Sequence, residues 1–228
     1  MRLGILGTGI VGRTLAGKLS ELDHEVAIGT RDVDAVMARR EPDAMGNPPF
    51  SEWAQAVPKV RVGTYADVAS QAEIMVNATS GSGSLEALDL AGASNLSGKV
   101  LVDVANPLDF SGGMPPTLFV SNTDSLAERI QRGFPDAKVV KTLNTMTARV
   151  MVEPAQIGDG DHNVFLSGDD GDAKAQVSEI LRSFGWQHII DLGGIVTARS
   201  AEMYLPLWLS LVTGLGTPMF NIKVTQGQ

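Results

Sequence analysis

The sequence contains no cysteine among its 228 residues and only three histidines. Disulfides, thiolate nucleophiles and metal sites built on cysteine are therefore excluded. The lack of cysteine fits a reducing compartment, and we expect a cytoplasmic protein. Basic residues are also scarce, 18 against 26 acidic ones, which gives a formal net charge of -8. This balance argues against nucleic acid or an anionic membrane surface as a partner.

Long hydrophobic runs are absent as well. The strongest candidate, residues 204–215, is too short to span a bilayer and contains Pro206 and Gly214. We therefore predict no membrane partner. The hydrophobic fraction of 43% is ordinary for a globular protein, so the chain can bury a sizeable core as one large domain or one domain with a small appendage.

Short apolar segments alternate with segments of helical periodicity along most of the chain. The expected strands are residues 3–6, 25–29, 59–62, 73–77, 100–104, 139–142, 164–167 and 188–192, and the expected helices are 10–22, 32–40, 65–71, one opening at 125, 172–184 and 197–215. This alternation predicts an α/β fold of the Rossmann type, with a doubly wound, mostly parallel sheet and a C-terminal helical appendage. Residues 42–58 and 106–123 are expected to be irregular loops.

A glycine-rich turn follows the first expected strand directly and opens the first expected helix. Its residues are Gly7, Thr8, Gly9, Ile10, Val11 and Gly12, which match the pattern G-x-G-x-x-G. In this context the first glycine makes the turn, the second admits a pyrophosphate and the third packs the helix on the strand. The free amides of the helix N-terminus then bind the phosphates. The alternative is a tight strand–helix turn without a ligand.

The residues at the end of the second expected strand distinguish an NAD site from an NADP site. An NAD enzyme usually carries an acidic residue there, whereas this strand ends in Thr30 and Arg31. A hydroxyl and a guanidinium favour the 2′-phosphate of NADP. Alternatively, Arg31 is a solvated surface residue and Asp32 fills the acidic role, but Asp32 also suits the cap of the next helix. We therefore assign residues 1–142 to an NADP-binding domain and 143–228 to a smaller C-terminal region packed on it.

Two further turns are expected near the nicotinamide, because ligands of open parallel sheets lie across the carboxyl ends of the strands. They are Ala78, Thr79 and Ser80 after the fourth expected strand, and Ala105, Asn106 and Pro107 after the fifth. Asn106 could hydrogen-bond the ribose or the carboxamide. Ordinary polar turns are the alternative for each of these residues.

Candidates for acid–base chemistry are few. None of the three histidines falls at the expected carboxyl end of a strand near the nicotinamide, and Lys141 is the one basic residue that does. A catalytic role and an ion-paired structural role are both open for Lys141. A reaction that passes hydride between two bound carriers needs positioning and exclusion of water more than a protein acid, so this scarcity favours such chemistry.

The chain resembles the NADP oxidoreductases that depend on 8-hydroxy-5-deazaflavin, coenzyme F420. The resemblance is carried by residues 7–12, by Gly-Thr-Arg at 29–31, by Val-Val-Lys-Thr-Leu-Asn-Thr at 139–145, by Gly-Asp-Asp at 168–170, and by Gly-Leu-Gly at 214–216 leading to Phe-Asn-Ile-Lys at 220–223. It implies an oxidoreductase with NADP(H) at residues 8–11 and 30–31 and coenzyme F420 as the co-substrate. It also implies that the loop from Asn144 to Ala148 covers the nicotinamide, with Met146 against the second ring system.

The resemblance further implies that the apolar C-terminal helix builds the deazaflavin pocket and a homodimer contact, although plain core packing explains its pattern equally well. Two positions depart from the archaeal members of the family. A basic residue after the arginine is replaced by Ala35 or Val36, and a histidine before the nicotinamide loop is replaced by Asn144. Two other functions therefore stay open, reduction of a flavin or another small acceptor and non-catalytic sensing of NADP(H).

Overall fold

The structure is a computed structural model that describes residues 1–43 and 46–227. Its strands are β1 (Arg2–Leu6), β2 (Glu25–Thr30), β3 (Arg61–Thr64), β4 (Ile74–Asn77), β5 (Val100–Asp103), β6 (Leu108–Asp109), β7 (Thr117–Leu118), β8 (Lys138–Thr142), β9 (Asn163–Ser167) and β10 (His188–Asp191). Its helices are α1 (Ile10–Glu21), α2 (Val33–Ala38), α3 (Phe50–Ala56), α4 (Tyr65–Gln71), α5 (Ser84–Ala91), α6 (Ala93–Leu96), α7 (Leu126–Gly133), α8 (Ala148–Val152), α9 (Gly171–Ser183), α10 (Ala198–Met203) and α11 (Leu205–Leu215).

Eight of the described strands form one sheet in the order β10-β9-β8-β5-β4-β1-β2-β3. Neighbouring strands run parallel, except that β9 is antiparallel to β8. The chain therefore has the mostly parallel α/β architecture that the alternating pattern predicts. The order reverses at β1, so the crevice between β1 and β4 is where a doubly wound sheet binds a ligand.

The sheet is buried on both faces because successive strand residues point to opposite sides. Ile74 and Val76 of β4 join a core cluster with α1, α8 and α9. Met75 between them joins a second cluster with α4, α5 and α7. This double burial explains why the strands read as nearly continuous apolar runs.

The sheet continues across the expected domain boundary after residue 142. Strand β9 pairs with β8, and Val164 and Leu166 share one core cluster with Leu3 and Ile5. The division into residues 1–142 and 143–228 stays a prediction, and residue 228 lies outside the described residues.

Several local predictions were wrong or incomplete. The stretch 42–58, expected to be a loop, contains α3, while residues 44 and 45 lie outside the described residues. The stretch 106–123 contains the short β6–β7 pair, and α5, α6 and α8 were not predicted. The last helical segment is divided at Tyr204 into α10 and α11. Within the described part of the chain, no helix has the length and apolarity needed to cross a membrane.

Candidate dinucleotide-binding site

The glycine-rich turn connects β1 to α1, and each of its glycines sits in a different environment. Gly7 has a φ of +113°, and a Cβ there would lie 2.5 Å from the carbonyl oxygen of Ala78. A Cβ on Gly12 would lie 2.0 Å from the carbonyl oxygen of Gly7, so only glycine lets α1 approach this closely. Around Gly9, a Cβ would meet no atom within 4 Å. The open cradle at Gly9 fits a pyrophosphate group.

The N-terminus of α1 is free to bind an anion. Gly9 is its N-cap and no side chain caps it by a hydrogen bond. Ile10, at the first turn, is exposed, whereas Val11 packs against the core from a partly buried position. The first amides of a helix lack partners within it, so the positive end of the α1 dipole lies next to the open space at Gly9.

Arg13 lies beside the glycine-rich turn, and the sequence patterns did not single it out as a candidate binding residue. Its Nε donates to the carbonyl oxygen of Thr8 at 2.7 Å, and its Nη1 donates to that of Pro48. The guanidinium lies over the Phe50 ring, 5.4 Å from the centroid. Burial lowers the pKa of Arg13, and the carboxylate of Asp43 opposes that shift. Arg13 thereby ties the glycine-rich turn to the segment that holds α3, beside a cleft of about 420 Å³.

Thr30 and Arg31 lie at the carboxyl end of β2, next to β1. Thr30 is buried and Arg31 is exposed, with its Nη2 3.0 Å from Oε2 of Glu86 on α5. The Oδ1 of Asp32 accepts a hydrogen bond from the amide of Ala35 at 2.8 Å. Asp32 is therefore the cap of α2, as predicted, and Arg31 is an exposed basic side chain that pairs with Glu86 at the end of β2.

The other predicted turns meet at the same edge of the sheet. A Cβ on Gly81 would lie 1.9 Å from the carbonyl oxygen of Asn106, so the turn after β4 contacts the turn after β5. Asn106 Nδ2 donates to the carbonyl oxygen of Asn144, and Asn144 Nδ2 donates to Oδ1 of Asn106, both at 3.0 Å. This reciprocal pair joins the turn after β5 to the turn after β8.

The remaining predicted site residues differ in exposure. Ala78 and Thr79 are half-buried, Ser80 is exposed, and Ala105, Pro107, Met146 and Ala148 are buried. Met146 is 5% exposed and belongs to the core cluster that contains α1 and α8. Its contact with a second ring system, like the other site assignments, stays a prediction.

A row of buried polar residues crosses the sheet beneath these turns. Asn77 of β4 is the register neighbour of Asp103 on β5, and Asp103 is the register neighbour of Lys141 on β8. Asn77 Nδ2 donates to Oδ1 of Asp103 at 2.8 Å, and Lys141 Nζ lies 2.8 Å from Oδ2 of Asp103. The amine also contacts Oε1 of Glu202 on α10, at 3.0 Å, and the carbonyl oxygen of Ala105.

Lys141 is fully buried and charged. Burial disfavours its charge, but the carboxylates of Asp103 and Glu202 outweigh burial and hold the pKa of the amine above its usual value. Of the two roles left open for Lys141, the structure supports the ion-paired one. Asp103 and Glu202 were not singled out from the sequence. The available signal was a polar residue closing each of the apolar runs at 74–77 and 100–103.

Comparison with known proteins agrees with this geometry. A family model described as NADP oxidoreductase, coenzyme F420-dependent, matches residues 2–107. The crystal structure of a candidate F420-dependent NADP reductase from Arthrobacter sp. FB24 is 58% identical, covers 99% of this chain and 100% of that chain, and superposes with a TM-score of 0.96.

Two curated relatives cover most of the chain. The F420-dependent NADP reductase of Methanothermobacter marburgensis is 28% identical over 216 residues, 92% of each protein. Metalloreductase STEAP3 of Rattus norvegicus is 30% identical over 212 residues, and this chain spans 38% of that protein's length. The chain belongs to the family of coenzyme F420-dependent NADP oxidoreductases, and it is an oxidoreductase that uses NADP(H).

Proposed function

We propose that this protein transfers hydride between NADP(H) and the deazaflavin coenzyme F420. The observation that carries the proposal is the 58% identity, over 99% of the chain, with a candidate F420-dependent NADP reductase of the same fold. The dinucleotide cradle at Gly9 supports the NADP(H) half independently, because it leaves open the space that a pyrophosphate needs.

In this proposal NADP(H) lies across the carboxyl edge of the sheet. The N-terminus of α1 binds the pyrophosphate, while Thr30 and Arg31 bind the 2′-phosphate. The pair between Arg31 and Glu86 is exposed on both sides, so a phosphate can displace the carboxylate at small cost. The nicotinamide then lies near the Asn106–Asn144 pair.

The two carriers supply the redox chemistry, and the protein supplies position. Lys141, the one basic residue predicted near the nicotinamide, is buried between two carboxylates and so is not available as an acid or base. Asn106 donates to the backbone carbonyl of Asn144 and accepts from its side chain, and these bonds fix the edge against which a ring can be oriented. Orientation and exclusion of water suffice to speed hydride transfer between bound carriers.

Anaerobic stopped-flow mixing of the protein and NADPH with oxidised F420 tests the proposal. We expect the visible absorbance of F420 to bleach with a rate that saturates in NADPH. The proposal fails if NADPH binds and the absorbance does not change. Repeating the experiment with a flavin then tests whether the protein reduces a flavin instead. Binding of NADPH without turnover of any acceptor would indicate a sensor of NADP(H).

A different acceptor is the second candidate. It is favoured by the 30% identity with a metalloreductase across 91% of this chain. Asn144, which stands where archaeal members of the family carry a histidine, points the same way. Faster turnover with a flavin or a ferric complex than with F420 would favour this candidate.

We also propose a homodimer that forms through α11. This helix reads Leu-Pro-Leu-Trp-Leu-Ser-Leu-Val-Thr-Gly-Leu, yet Leu205 is its one buried residue among those described. Leu207 and Leu215 are 56% and 58% exposed. Apolar side chains this exposed along one helix are typical of an interaction surface rather than of core packing.

A further inference from the structure

Lys141 contacts three different segments at the proposed nicotinamide edge. Its amine meets Asp103 at the end of β5, the carbonyl oxygen of Ala105 in the following turn, and Glu202 on α10. Glu202 in turn accepts hydrogen bonds from the amides of Leu126 and Ala127 at 2.8 and 3.1 Å, which caps α7. The amine of this β8 residue therefore contacts β5, the turn after β5 and α10 directly, and it is linked to α7 through Glu202.

Packing alone does not account for an ion cluster at this place. Removing three charges from water costs free energy, and apolar residues of similar volume often stabilise a core as well or better. The cluster does provide fixed geometry, because each of its hydrogen bonds is directional. Its directional hydrogen bonds, at this place in the sheet, point to a role in geometry.

The ion cluster around Lys141 is linked through adjacent residues to the Asn106–Asn144 pair. Ala105 directly precedes Asn106, and Glu202 directly follows Ala201, whose carbonyl oxygen accepts from Asn144 Nδ2 at 3.0 Å. Lys141 thus contacts Ala105, which precedes Asn106, and Glu202, which follows the residue that accepts from Asn144. A displacement of the amine would move the turn after β5 relative to α10, and so shift the two groups that accept from Asn144 Nδ2, Oδ1 of Asn106 and the carbonyl oxygen of Ala201.

We propose that Lys141 is a positioning residue for hydride transfer, which fixes the Asn106–Asn144 surface through Ala105 and Glu202. The proposal rests on the proposed function, because it takes the nicotinamide to lie at this edge. Lys141 exchanges no proton in this role, since its amine is buried and shared between two carboxylates.

Two variants and a matched control test the proposal. Lys141→Met removes the amine but leaves two carboxylates buried, so it also destabilises the fold. Lys141→Met combined with Glu202→Gln removes one charge of each sign, and the glutamine carbonyl can still accept from one of the two α7 amides. Lys174→Met is the control, because Lys174 is an ion-paired lysine held by Asp191 at the far edge strand β10.

We expect both Lys141 variants to lose about 10- to 100-fold in the rate of hydride transfer per folded molecule, because small misplacements of reacting groups cost that much. The Kd for NADPH is expected to stay within about 3-fold, since the phosphate sites lie elsewhere. The double variant should melt closer to the wild type than Lys141→Met, yet stay slow. Lys174→Met should keep the wild-type rate.

The proposal is overturned if the folded double variant transfers hydride at the wild-type rate. A second readout separates this inference from the proposed function, namely the emission of the reduced nicotinamide in bound NADPH. If the wild type does not reduce F420, the proposed function fails, but altered emission in both Lys141 variants and unaltered emission in Lys174→Met would still support positioning. Unaltered emission in all variants would overturn it.

Discussion

Gly9 and Gly12 are three residues apart in one turn but serve different purposes. A Cβ on Gly9 would point into open space, and the residue has an extended conformation with a φ of -73° that alanine adopts readily. A Cβ on Gly12 would overlap the backbone carbonyl of Gly7 at 2.0 Å. Gly9 therefore borders open space, whereas Gly12 is required by close packing within the protein.

The two substitutions should therefore separate binding from stability. We expect Gly9→Ala to change the free energy of unfolding by less than about 1 kcal/mol and to weaken NADPH binding strongly. Gly12→Ala should lose more than about 2 kcal/mol of stability, because α1 must move away from β1. Urea unfolding and NADPH titration measure both. Unchanged NADPH affinity in Gly9→Ala would place the pyrophosphate elsewhere.

Individual residues were predictable where their role is local. The glycine spacing and the cap at Asp32 depend on a few neighbours along the chain, and both predictions agree with the structure. The row formed by Asn77, Asp103 and Lys141 depends on the register of three strands that are far apart in sequence. No local pattern specifies that register, so the ion cluster could not be derived from spacing.

The N-terminus of α7 combines two arrangements of charge. Ser125 caps this helix, because its hydroxyl accepts from the Glu128 amide at 3.1 Å and donates to Oε2 of Glu128 at 2.7 Å. Just before it, the carboxylate of Asp124 accepts from Arg132 and Arg129. Its hydrogen bond with Arg132 is the main cause that lowers the pKa of Asp124 to about 2. The folded state therefore favours the ionised carboxylate.

This lowered pKa predicts how the stability of the fold depends on pH. A carboxyl whose pKa falls from 3.8 to about 2 on folding stabilises the protein above its unfolded pKa, and the effect is lost as the pH falls through about 2. The difference in free energy of unfolding between wild type and Asp124→Asn should be constant near neutral pH and shrink between about pH 4 and 2. Urea unfolding across that range measures it.

The control for this experiment is Asp136→Asn, at an exposed carboxylate beyond the other end of α7. Asp136 takes part in no salt bridge with the described residues, so Asp136→Asn should change the free energy of unfolding little. A difference for Asp124→Asn that stays constant down to pH 2 would mean that the ion pairs do not stabilise the helix.

Helices without clear end signals were harder to predict than strands. The strands of the main sheet are apolar because both of their faces are buried, and that pattern is visible in any window of sequence. The helix α3 begins after Pro49 within a stretch rich in proline, and its packing depends on Phe50 and Trp53, whose rings lie 5.4 Å apart. Here tertiary contacts outweigh the local preference for a loop.

At the scale of the whole molecule, the eight-stranded sheet is continuous and changes strand direction between β8 and β9. The segment 143–162 holds only the short helix α8 and two 3₁₀ turns among its described residues. A parallel return would need a crossover that carries the chain back along the sheet, usually a helix. Strand β9 therefore enters antiparallel to β8, a direction that the spacing of apolar runs does not reveal.

Beyond that sheet, α11 exposes Leu207 and Leu215, and the proposed homodimer makes a direct prediction. Leu207→Glu combined with Leu215→Glu should convert a dimer into a monomer, because burying two carboxylates in an apolar interface costs far more than it gains. Leu90→Glu on α5, where the leucine is 47% exposed, is the matched control and should remain dimeric. Light scattering coupled to size-exclusion chromatography gives the mass of each variant, with 24.1 kDa as the monomer value. A wild-type protein of monomer mass, or a dimer that survives both glutamates, would rule out α11 as the interface.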